Sequence, residues 1–89
     1  MLIAGALVEY DKNFNEKVLD LLRREENLTF YETEKAGKVV IVIEAQDTNI
    51  LEEQIKELEG LNEIIGVFPS YINYEEEFSK NQTKEQFLN

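Results

Sequence analysis

Residues 37–45, GKVVIVIEA, form a short, almost unbroken run of β-branched side chains, opened by a glycine and followed by a helix-start signal at Asp47-Thr48. Such a run reads as a strand with neighbours on both edges and at least one heavily covered face. On the two-residue period of a strand, Val39, Ile41, Ile43 and Ala45 point one way. Lys38, Val40, Val42 and Glu44 point the other way. The first set is wholly apolar and belongs under helices. The second is apolar in the middle and charged at its ends, which suits a face that meets water and a partner.

Working outward from this strand, the remaining elements follow. Leu2 to Tyr10 is apolar with one interior glycine and reads as a first strand, with Leu2, Ala4, Ala6, Val8 and Tyr10 inward. Asn13, with Glu16 three residues on, has the pattern of a capping box. It opens a helix with Phe14, Val18, Leu21 and Leu22 as its apolar stripe, ending near Glu26-Asn27. Leu28 to Thr33 alternates as a second strand with Leu28 and Phe30 inward, and Glu34 to Gly37 closes a hairpin into the third. Asp47 or Thr48 caps a second helix carrying Ile50, Leu51, Ile55 and Leu58, with Gly60 as its terminator. Val67 to Tyr74 is a fourth strand, with Ser70, Ile72 and Tyr74 inward and Pro69, Tyr71 and Asn73 outward. Pro69 cannot donate to a ladder, so it marks an edge strand or a bulge. The order strand, helix, strand, strand, helix, strand, with right-handed crossovers, predicts an α+β fold of the ferredoxin-like split βαβ type: a four-stranded antiparallel sheet, order 4-1-3-2, with two helices on one face. The domain is expected over residues 1–75, with 76–89 as a polar, acidic, frayed tail.

Composition narrows the function. The chain has 89 residues, no cysteine and no histidine, and 19 acidic against 9 basic side chains, for a formal charge of −10. Thiol chemistry, disulfides and the usual zinc sites are excluded, together with the commonest general base. No glycine-rich phosphate loop is present, and Glu75-Glu76-Glu77 lacks calcium-loop spacing, so no enzyme and no cofactor is expected. Nucleic acid and anionic membranes would be repelled, whereas a cationic partner would be attracted. The opening MLIAGALVEY lacks the basic flank and cleavage site of a secretory signal, and no run reaches membrane-spanning length. A cytoplasmic location is the expectation, which the absence of disulfides fits.

The sheet face without helices is where a partner would bind. Alternation assigns to it Ile3, Gly5, Leu7, Glu9, Thr29, Tyr31, Val40, Val42, Glu44, Tyr71 and Asn73. Leu7, Val40 and Val42 between two tyrosines make an apolar patch rimmed by carboxylates, and exposed patches of this kind mark interaction sites. The candidate binding residues are Leu7, Glu9, Tyr31, Val40, Val42, Glu44, Tyr71 and Asn73. Glu9 and Glu44 fall at opposite ends of neighbouring antiparallel strands, so at most one of them serves a given cationic cluster. The matching ligand has an apolar body and a cationic end. The competing reading is a patch covered by the C-terminal tail or by a second copy of the chain.

The stretch GKVVIVIEAQDTNILEEQIKELEGLNEIIGVFPSYINYEEE is similar to the NapD family. The resemblance rests on Gly37, Lys38, Val39 to Ile43, Glu44 and Ala45, then Gly66, Val67, Tyr74 and Glu75 to Glu77, and AGALVEY fits the family's apolar opening. Pro69 departs from the small or apolar residue usual there, and the family's longer N-terminal lead is missing. The resemblance implies a cytoplasmic chaperone, monomeric or weakly dimeric, of the periplasmic nitrate reductase catalytic subunit. Such a chaperone binds the precursor's twin-arginine signal peptide and delays export until the molybdenum cofactor and iron–sulfur cluster are in place. Two other readings share the topology: a small-molecule regulatory domain of the ACT type, and a structural oligomerisation module.

Overall fold

The computed structural model describes residues 1–74; the expected acidic tail, and the edge of the domain at residue 75, lie outside the described residues. The elements run β1 (Leu2–Tyr10), a 3-10 turn (Lys12–Phe14), α1 (Asn15–Arg23), β2 (Leu28–Glu32), β3 (Lys38–Ala45), α2 (Thr48–Glu59) and β4 (Ile64–Tyr74). The sheet has four antiparallel strands in the order β2, β3, β1, β4, the order expected from the sequence. The fold is the ferredoxin-like α+β arrangement.

The core forms where the alternation places it. Val39, Ile41, Ile43 and Ala45 of β3 are buried, as are Leu2, Ala4, Ala6, Val8 and Tyr10 of β1. Val18, Leu19 and Leu22 of α1 and Leu51 and Leu58 of α2 pack onto them, with Ile55 part-buried beside them. Phe30 of β2 is partly covered, and the Arg23 guanidinium lies 5.6 Å from its ring centre. Gly37 adopts φ +83°, a left-handed turn that an L side chain resists, and its carbonyl accepts from Tyr10 N at 2.9 Å. Asp47 caps α2, its carboxylate accepting from Ile50 N at 2.9 Å.

Several local expectations are corrected. Asn13 is not a helix cap: Asp11 accepts from Asn13 N at 3.0 Å and starts a 3-10 turn, which delays α1 to Asn15. The buried stripe of α1 is Val18, Leu19 and Leu22, and Phe14, which precedes the helix, is exposed. Helix α1 stops at Arg23, before Glu26-Asn27, because Asn27 is drawn to the sheet and to α2. Its amide donates to the Glu44 carbonyl at 2.9 Å and to Gln54 at 2.8 Å. Gly60 ends α2 at φ −77°, without a left-handed turn. Strand β4 begins at Ile64, three residues earlier than expected, and Ile72, although opposite Ala4, stays 45% exposed on this edge strand.

Candidate functional site

The helix-free face is built from rows that cross all four strands. One row is Tyr31, Val40, Leu7 and Phe68; the next is Thr29, Val42, Gly5 and Tyr71. With strands about 4.8 Å apart, each row spans about 14 Å. Tyr31, Val40, Phe68 and Tyr71 are exposed by 57, 37, 51 and 50%, a greasy strip in contact with solvent among the described residues. Leu7 and Val42 lie half-buried between them.

The two charged rims differ. Glu9 stands opposite Lys38, and their side chains form an ion pair at 2.5 Å, each about one-third exposed. A carboxylate already matched by a lysine is a poor free acceptor for an incoming cation. At the other end Glu44 is exposed beside Ile3, in the row that ends at Asn73. The eight residues selected from sequence therefore share one face, with Glu9 and Glu44 at opposite ends of it.

Simple alternation misses Phe68 and puts Pro69 on the wrong side. The pairing of β1 with β4 shifts between Gly5 and Ala6: Gly5 faces Tyr71, but Ala6 faces Pro69, leaving Ser70 as an extra residue. The shift reverses the alternation N-terminal to it, so Phe68 joins the outer face opposite Leu7 and Pro69 turns to the helix side opposite Ala6. The Ser70 hydroxyl donates to the Gly5 carbonyl at 3.1 Å and fastens the irregularity to β1. A second shift between Glu9 and Tyr10 leaves Ile65 over and 70% exposed. The signals for Phe68 are Pro69 beside it, which interrupts the ladder, and Gly66 two residues before it, which leaves room for its ring.

Other features lie away from this face. A cleft of about 160 Å³ between the helices is lined by Leu21, Glu25, Gln54, Glu57, Leu58 and Leu61. Among the described residues no group of three or more acidic side chains is placed to hold a metal ion, and no helix is long and apolar enough to cross a membrane.

Two helices on one side of a sheet and, among the described residues, a solvent-exposed aromatic surface on the other define a small α+β domain. The chain belongs to the NapD family, whose model, described as NapD protein, matches residues 1–76. No curated protein and no solved structure matches it. NapD proteins are chaperones, so the chain has a chaperone role in nitrate reductase maturation and a protein partner from that process.

Proposed function

We propose that this chain binds the twin-arginine signal peptide of the periplasmic nitrate reductase precursor on its outer sheet face, in the cytoplasm, and holds the precursor back until its cofactors are inserted. The observation that supports this reading is the row Tyr31, Val40, Leu7 and Phe68, three of whose side chains are solvent-exposed among the described residues, in a chain of net charge −10. The peptide's apolar stretch lies across that row and the neighbouring Val42 and Tyr71, replacing water on both surfaces. Its arginines meet carboxylate at the rim, where a planar guanidinium can bond in bidentate fashion. Glu44 suits this role better than Glu9, whose charge Lys38 already balances. Long-range attraction between the acidic domain and the basic peptide speeds encounter more than it deepens affinity.

Calorimetry with a synthetic signal peptide tests the assignment. Val40→Asp puts a charge in the middle of the strip and is expected to weaken binding about tenfold or more. Glu44→Lys is expected to cost more affinity than Glu9→Gln. Val40→Asp and Glu44→Lys variants that both bind like the wild type would put the site elsewhere.

A further inference from the structure

The outer-face rings of β4 sit on glycines. Gly5 and Tyr71 are partners across β1 and β4, and a Cβ built on Gly5 would lie 3.0 Å from Tyr71 Cδ2, 3.1 Å from Cζ and closer still to Cε2. The Tyr71 ring therefore occupies the space that a side chain at position 5 would fill. Phe68 repeats the arrangement along its own strand: a Cβ on Gly66 would come within 2.7 Å of Phe68 Cζ and 3.0 Å of Cε2. Both rings are half-exposed, so each rests one side on the sheet and offers the other outward.

A glycine in the middle of a central strand weakens it, and close approach by a neighbouring group is a usual reason for one. Burying these rings is not the reason, since half of each stays in solvent. A ring that rests on bare backbone is held in one place before anything binds, which removes part of the ordering cost of association. We propose, on the signal-peptide reading given above, that Gly5 and Gly66 are positioning residues that hold Tyr71 and Phe68 as a prearranged platform. The rings are the anchors for the peptide's apolar stretch. The binding surface of β4 is thus set by two residues with no side chain.

A double-mutant cycle on the full chain tests this. The probe is a synthetic peptide with two consecutive arginines followed by an apolar stretch, and Kd is measured by calorimetry for wild type, Gly5→Ala, Tyr71→Ala and the double variant. Each single change is expected to weaken binding about fivefold or more. The double variant should bind no worse than the poorer single one, because the added methyl acts only through the ring. In the wild type one Gly5 Hα, the one that takes the Cβ direction, points at Tyr71 Cε2 and should carry a ring-current shift. Tyr71→Ala should abolish that shift, while Tyr71→Phe should keep both the shift and the affinity. Gly5→Ala is expected to fold, because its obstruction is a half-exposed ring rather than backbone. Should it not fold, Gly66→Ala with Phe68→Ala at the sheet edge forms an equivalent cycle, whose outcomes decide the matter in the same way. A wild type that binds while Gly5→Ala binds equally well overturns the platform alone, as do losses that simply add. A wild type that does not bind the peptide overturns the signal-peptide reading and the platform with it.

Discussion

The two faces of the sheet are made by the same four strands and obey different rules. The helix side is aliphatic and closed: Val8, Val39 and Ile41 have no exposed surface, and every inward residue of β3 is apolar. The outer side mixes aromatic rings, glycines, a balanced Glu9 and Lys38 pair and an exposed Glu44. Packing decides the inner face, because a buried side chain that leaves a void costs contacts that nothing restores. Little in the folded state requires the outer face to be apolar, and this is why its composition points to something outside the fold.

Neighbouring residues of β3 give the sharpest way to break this contrast. Ile41→Ala should lower unfolding stability by about 3–4 kcal/mol in urea denaturation, as expected for a fully buried branched side chain. Gly37→Ala comes next, at about 2 kcal/mol, because the left-handed φ disfavours any Cβ. A Cβ placed there would also lie 2.8 Å from the Tyr10 carbonyl. Val40→Ala, one residue from Ile41 but facing outward, should cost less than about 1 kcal/mol. Equal losses for Ile41→Ala and Val40→Ala would mean that the outer face is covered, and the distinction would fall. The smallest effect concerns Tyr10, whose hydroxyl donates to Asn15. Burial, with Glu32 nearby, raises its pKa above the ordinary value. A raised phenol contributes stability that is complete below about pH 10 and is lost as pH rises through the folded-state value. Tyr10→Phe should therefore flatten the alkaline end of the stability profile measured by thermal melts.

Where the chain alternates without interruption, the sequence is enough to read both faces. Strands β1 and β3 contain no proline in their paired stretch, their inward sets are all apolar, and strand order follows from the sequence of elements. Strand β4 is different. Its two register shifts depend on which backbone groups pair with β1, a long-range outcome that no local pattern states, and a single extra residue exchanges inside for outside. Thus Tyr71 and Asn73, C-terminal to Ser70, fall on the face expected for them, whereas Pro69 and Phe68 do not follow the simple alternation. The start of α1 is hard to read for a related reason. Asp11 and Asn13 are both good capping residues, and the choice between them rests on a 3-10 turn visible only in three dimensions.

Pro69 lends no N–H to the rim of the sheet, and the register of β4 slips beside it, while the opposite rim is a strand of five residues. Rims blunted in this way are poor templates for an added strand, the route by which sticky sheets grow into fibrils. The molecule can thus carry an oily surface at low risk of self-propagation. On the docking proposed above, the bound segment lies flat against side chains instead of zipping onto main-chain amides. A segment received like that is free to keep its own internal hydrogen bonds, so a coil already wound into a helix is as welcome as an extended one.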